Sequence, residues 1–115
     1  MKQGEIWLIN LDPTTGAEIQ KTRPAVVVNY NGFGKLPLRV IVPVTDWKEK
    51  YSLAPWMIKL IPDNINNLKK DSASDCFQVR SVSEKRFVKK IGEVSKDQLE
   101  TIVNALYSVF KMDTE

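Results

Sequence analysis

The sequence predicts a mainly β domain: a small, strongly bent antiparallel sheet or barrel, covered on one face by a C-terminal helix. Its first basis is a series of five or six short runs of β-branched and aromatic residues, separated by Gly, Pro, Asn and Asp clusters. The second is that clear helical periodicity appears only in the last segment. The third is size: 115 residues suit a single domain spanning 1–115, large enough to bury a core without crosslinks.

Residues 5–11, "EIWLINL", are rich in β-formers and precede the turn cluster "DPTTG", so they read as a strand followed by a loop to about Lys21. Residues 24–30, "PAVVVNY", form a near-continuous apolar run, the pattern of a strand buried on both faces. "NGFGKLP" is a turn. It lacks the spacing and the terminal Lys-Ser/Thr of a phosphate loop. Residues 38–45, "LRVIVPVT", form a third strand, and Pro43 inside it predicts a bulge or an edge position because proline has no N–H for the ladder. After the polar loop "DWKEKYSLA", a fourth strand occupies 56–61. "PDNINNLKKDSAS" carries Asn/Asp turn chemistry and reads as loop. A fifth strand is predicted at 75–82, a short helical turn at "SEKRF", and a last strand at "VKKIGEV". Ser95 and Gln98 then make an S-x-x-Q capping box. Leu99, Ile102, Val103, Leu106, Val109 and Phe110 follow at helical spacing, predicting a helix over 96–112.

Seventeen Lys and Arg against 14 Asp and Glu leave a net charge of +3, mildly basic and compatible with nucleic acid. The chain has no histidine. That removes the usual general acid–base and the commonest metal ligand, and argues against histidine triads and zinc sites. Cys76 is the single cysteine, so no intrachain disulfide forms and a cytoplasmic setting is expected. The N-terminus "MKQGEIWLINLD" lacks a signal-peptide h-region, and the longest pure apolar run, "AVVV", is far too short to span a membrane.

Arg23 and Thr45 stand out first as candidate site residues. Arginine offers five fixed donors and a permanent charge, suited to phosphate. Pro24 biases Arg23 towards an extended conformation at the mouth of a buried strand. From pattern alone Arg23 either grips phosphate or pairs with a carboxylate such as Glu18 or Asp12. Thr45 ends "VIVPVT", where its hydroxyl either meets a phosphate oxygen or 2′-OH or bonds its own turn. In "TDWKEKY", Trp47 and Tyr51 sit among Lys48 and Lys50, an arrangement that suits unpaired bases and phosphates, or else Trp47 packs onto the sheet. "QVRS" supplies Gln78, Arg80 and Ser81, with alternation setting Gln78 and Arg80 on one face, either to read base edges or clamp phosphates or as a solvated surface. "KRFVKK" reads as a solvated cationic surface. Asp71 and Asp75 read as turn-makers, with no third metal ligand evident.

"GEIWLINLDPTTGAEIQKTRPAVVV", then "VIVPVTD" and "FQVRSVSEKRF", together resemble the MazF/PemK family of toxins from type II toxin–antitoxin pairs. The resemblance runs from Gly4 to the C-terminal helix. It implies a small SH3-like β-barrel of the MazF/PemK/CcdB kind, a homodimer, and a metal-independent endoribonuclease without cofactors. Such enzymes cut single-stranded RNA, often mRNA, sequence-specifically to 2′,3′-cyclic phosphate and 5′-hydroxyl ends, and a cognate antitoxin blocks their groove. By the same resemblance Arg23 and Thr45 are catalytic, and the "LDP" loop, with Pro13, Thr14 and Lys21, contributes RNA contacts beside Trp47, Lys48, Gln78, Arg80 and Ser81. Gyrase-poisoning toxins of the same fold make a non-catalytic, protein-binding function the alternative. Some relatives carry a histidine where this chain has Ala17, and an arginine and an acid where it has Asp75 and Phe77; those roles are not carried over. Glu18 and Asp46 are then the candidate general bases, because each adjoins a strand end bearing Arg23 or Thr45.

Overall fold

A computed structural model describes residues 1–114. Seven strands precede one helix: β1 (Glu5–Asn10), β2 (Thr22–Val27), β3 (Leu38–Asp46), β4 (Met57–Leu60), β5 (Ser72–Asp75), β6 (Arg80–Ser83), β7 (Phe87–Glu93) and α1 (Lys96–Val109). All pairings are antiparallel. The spatial order is β4-β5-β3-β2-β1-β7, with β6 also beside β3. The sheet is not a closed barrel, because β4 and β7 end the path without pairing. Extents of 37 × 34 × 31 Å show that it curls instead of lying flat.

β3 is the hub. One edge follows β2, while the other follows β6 from Leu38 to Ile41 and then β5 from Val44 to Asp46. Pro43 occupies neither a bulge nor an edge strand, contrary to the sequence expectation. The Val28 N–H donates to the Val40 carbonyl. Alternation therefore aims Val40 and Val42 at β2, and the Pro43 nitrogen at the opposite edge. There β6 has ended and β5 has not begun, so the missing donor leaves no ladder bond unmade. The strand predicted at 75–82 is also divided. The Asp75 carboxylate accepts from the Phe77 N–H, capping a 3₁₀ turn at Cys76–Gln78 that separates β5 from β6. β5 itself falls in a stretch expected to be loop.

Two apolar clusters flank the sheet, as the unbroken apolar run of β2 predicts. Ile6, Val26, Val42, Val44 and Leu60 pack beneath Ile102 and Ala105 of α1. On the other face Ile9, Leu11, Ala25, Val27, Ile41 and Val82 gather with Trp7, Ile19 and Phe87. The predicted capping box is present: Ser95 Oγ accepts from the Gln98 N–H, and Gln98 Oε1 accepts from the Ser95 N–H. The helix ends at Val109, short of the expected 112, and Val103 and Phe110 are exposed, not packed against the sheet.

The loop at 61–71 is stitched into shape by buried Asn66. Its Oδ1 accepts from the Asp63 and Leu68 N–H groups, and its Nδ2 donates to the Ile61 carbonyl. The loop presses on β7 at Gly92, where an added Cβ would lie 2.5 Å from the Ile65 oxygen and 2.7 Å from the Asn66 oxygen. At the start of β1, Glu5 is buried and accepts from the Lys2 N–H and the Trp7 indole, with Lys90 Nζ at 3.2 Å and the N-terminal ammonium at 3.5 Å. Burial alone would raise its pKa, but these donors and charges outweigh it and hold the carboxyl down at about 2.

Candidate functional site

The loop from 11 to 21 is built as a closed unit. The Leu11 N–H donates to the Lys21 carbonyl, and the Lys21 N–H donates to Asp12 Oδ1. Lys21 takes a left-handed backbone (φ 71°), uncommon for a residue with a side chain, two positions before Arg23. Inside the loop, Thr14 Oγ1 donates to Asp12, and Glu18 Oε1 accepts from the Thr15 N–H at 2.6 Å.

Three side chains from distant sequence tie this loop to the sheet. Gln78 Oε1 accepts from the Ile19 N–H at 2.6 Å, and Gln78 Nε2 donates to the Ala17 carbonyl at 3.2 Å. Arg80 donates to the Leu11 carbonyl, and Arg86 donates to the Asn10 and Asp12 carbonyls. Gln78 and Arg80 thus hold the loop, a role that residue type and strand alternation did not reveal. Asp75, buried behind the Gln78 turn, has its pKa raised by burial, partly offset by hydrogen bonds from the Phe77 and Gln78 N–H groups and the Gln78 side chain.

Arg23 lies in β2 opposite Ile9, half-buried. Its Nε donates to the Gln20 carbonyl at 3.3 Å, and its terminal amino groups have no partner among the described residues. The ion pair with Glu18 or Asp12 does not form; both carboxylates are engaged by the loop's own backbone. The β2/β3 register pairs Ala25 with Pro43. Continued by two residues, it sets Arg23 across from Thr45 on the same face. Thr45 is half-buried in β3, and its hydroxyl is also without a partner among the described residues.

Two hollows flank this pair. A cleft of about 520 Å³ is floored by Leu8, Pro24 and Val44, and Arg23, Thr45 and Asp46 form part of its wall. A second hollow, about 480 Å³, is lined by Glu18, Ile19, Pro43, Phe77, Gln78 and Arg80. Side-chain alternation puts Arg23 and Thr45 on the face of Ala25, Ile41 and Pro43, yet both line the first cleft with Val44 and Asp46, and neither lines the second hollow. Arg23 and Thr45 therefore stand on the ridge between the two.

The remaining sequence candidates are distributed unevenly. Glu18 lines the second hollow. Asp46 lines the first and pairs with Lys70 at 3.0 Å. Pro13, Lys21, Lys48 and Ser81 are exposed, and Thr14 is half-buried. Trp47 is half-buried, with Lys59 Nζ 5.1 Å from its ring centroid, Tyr51 edge-on at 5.9 Å and its indole N–H buried without a partner among the described residues. That is a packed residue, not an open stacking platform. Exposed Phe77 and Trp56 meet edge-on at 5.8 Å beside the second hollow, a pair of stacking surfaces the sequence reading did not single out. Asp71 pairs with Lys59, and no group of three His, Cys, Asp or Glu able to hold a metal occurs among the described residues. No helix among them is long and apolar enough to cross a membrane.

Comparison with known proteins returns one family model, described as PemK-like, MazF-like toxin of type II toxin–antitoxin system, matching residues 2–110. Among curated proteins the chain is 33% identical over 112 residues to endoribonuclease MazF9 of Mycobacterium tuberculosis, covering 92% of each chain. Among solved structures it is similar to MazF from Deinococcus radiodurans (TM-score 0.77, 26% identity, 97% of each chain). It also shares its fold with a mycobacterial endoribonuclease solved in complex with its cognate antitoxin (TM-score 0.76, 15% identity, 100% of this chain and 99% of that one).

Proposed function

The chain belongs to the PemK-like, MazF-like toxins of type II toxin–antitoxin systems, and from that premise we propose that it is an endoribonuclease cutting single-stranded RNA at the ridge of Arg23 and Thr45. The observation that carries the assignment is that pair: a guanidinium with two unengaged amino groups and an unengaged hydroxyl, brought to one face by the β2/β3 register.

In the proposed reaction a general base takes the 2′-OH proton, the 2′-oxygen attacks the adjacent phosphorus, the O2′–P bond forms, the P–O5′ bond breaks and the leaving 5′-oxygen takes a proton from water. The products are a 2′,3′-cyclic phosphate and a 5′-hydroxyl. Arg23 grips two phosphate oxygens and stabilises the charge that grows on them, the largest contribution available here. Its pKa, about 12 or higher, makes it a poor proton donor. Thr45 donates to a non-bridging oxygen or orients the 2′-OH. Glu18 is the better candidate for the general base. Only its Oε1 is engaged, and it lines the second hollow, beside the ridge. Asp46 lines the same cleft as Arg23 and Thr45, but its carboxylate is paired with Lys70. The reaction is proposed to need no metal ion.

The loop of Pro13, Thr14 and Lys21, with Gln78 and the Phe77–Trp56 pair, would hold splayed bases beside the ridge. A cognate antitoxin, as in the mycobacterial complex, would close the same groove. A second copy of the chain has a candidate contact in the exposed Val103, Tyr107 and Phe110 of α1. The setting proposed is the cytoplasm. The test is cleavage of a long unstructured RNA in EDTA, followed by the same RNA with a 2′-deoxy nucleotide at the mapped cut. Cleavage must vanish with the 2′-hydroxyl; persistence would refute the mechanism, and no cleavage of any RNA would favour a protein-binding toxin of the same fold.

A further inference from the structure

Beyond the ridge, the first cleft has a character of its own. Lys69 and Lys70 on the 61–71 loop and Lys89 and Lys90 on β7 surround an aliphatic floor, and Asp46 is the only carboxylate in its lining. Two of these lysines already have anionic partners: Lys70 pairs with Asp46, and Lys90 with Glu5 and Glu93. Lys69 and Lys89 have none among the described residues, and both are exposed. Both line the cleft, from two elements that are rigidly joined. The Glu93 N–H donates to the Ile65 carbonyl, Asn67 Nδ2 donates to the Ile91 carbonyl, and Gly92 admits the loop at close range.

The cleft shares its wall with the ridge. A polyanion whose phosphate sits on Arg23 must leave in two directions, one over the Gln78 hollow and the other over this cleft. Resting on the ribonuclease reading above, we propose that the cleft is a second RNA subsite: it holds the nucleotides on one side of the cut, with Lys69 and Lys89 on consecutive phosphates and the aliphatic floor against a base. The floor of Leu8, Pro24 and Val44 offers neither stacking rings nor side-chain hydrogen bonds, and the Asn67 amide and Ser72 hydroxyl of the lining already donate to the Ile91 and Lys70 carbonyls, so the subsite adds affinity without reading sequence. Charge favours nucleic acid, since the only acid present is already paired.

The test uses the full chain and a Lys69→Ala/Lys89→Ala double variant; both side chains are exposed, so the fold is retained. The probe is an RNA bearing the mapped cut site with a 2′-deoxy nucleotide there, trimmed stepwise from either end, with binding followed by fluorescence anisotropy. The wild type should bind the long RNA about tenfold more tightly than the variant. Its salt dependence should be steeper by about 1.4 in log–log slope, from two phosphate contacts on a single strand. Trimming one end, and only that end, should cost the wild type the same factor and the variant nothing further. Equal binding by both proteins at every length overturns the proposal while leaving cleavage at the ridge intact. A variant that loses antitoxin affinity but keeps RNA affinity also overturns it, assigning the cleft to the protein partner. A wild type that neither binds nor cuts RNA overturns the ribonuclease reading and the subsite together.

Discussion

Replacing Gln78 with alanine tests how the active loop is held. The substitution removes the 2.6 Å bond from the Ile19 N–H and the 3.2 Å bond to the Ala17 carbonyl. Each such bond contributes about 1 kcal/mol net, and a half-buried N–H left without a partner costs up to about 2 kcal/mol more. The loop can relieve that penalty by swinging into water, so the expected loss is about 2 kcal/mol of docking free energy, or roughly thirtyfold in the docked-to-open ratio. Leu11, held by Arg80 and buried in the second apolar cluster, should keep the base of the loop in place. Amide hydrogen exchange is the direct assay. Exchange at Ile19 should speed up roughly thirtyfold while Val26, in the core of β2, is unchanged, and RNA cleavage should fall in proportion to the docked population that is lost, by at most that factor. Unaltered exchange at Ile19 would refute the clamp, and if cleavage still fell, Gln78 would be acting on the RNA directly.

Glu5 gives a pH signature. Its folded pKa of about 2 lies below the ordinary 4.5, so its stabilisation is complete above pH 4.5 and is lost as pH falls towards 2. Glu5→Gln should cost about 1–2 kcal/mol at pH 7, and the gap between the two proteins in urea melts should close between pH 4.5 and 2; a gap independent of pH would contradict the ion pairs with Lys90 and the N-terminus. Gly92→Ala forces a methyl against two backbone oxygens and should destabilise by about 1–3 kcal/mol, read as a lower Tm, whereas a wild-type Tm would rule out so close an approach of the 61–71 loop.

Much of this fold is written locally. The helix start follows from Ser95 and Gln98, and the doubly buried β2 follows from "PAVVV". The unbroken β-like text of 75–82 conceals a turn, made by the Asp75 carboxylate accepting from the Phe77 N–H. Val103 and Phe110 fit helical periodicity, yet the curl of the sheet leaves them uncovered. At the candidate site, Arg23 and Thr45 could be singled out from the sequence because one opens and the other closes a recognisable strand motif. The clamping of the loop by Gln78, Arg80 and Arg86 was not, since those bonds join residues 59 to 76 apart in the chain. Nor does local sequence reveal that Asp46 is paired with Lys70 from the 61–71 loop.

The central claim is that Arg23 carries the charge of the reacting phosphate. Mass spectrometry of RNA ends after incubation in EDTA, with wild type and Arg23→Ala side by side, tests it most directly. The account predicts 2′,3′-cyclic phosphate and 5′-hydroxyl ends from the wild type, and none from a variant whose circular dichroism and Tm match it. Undiminished cleavage by Arg23→Ala, or wild-type products ending in a 3′-hydroxyl, would contradict it.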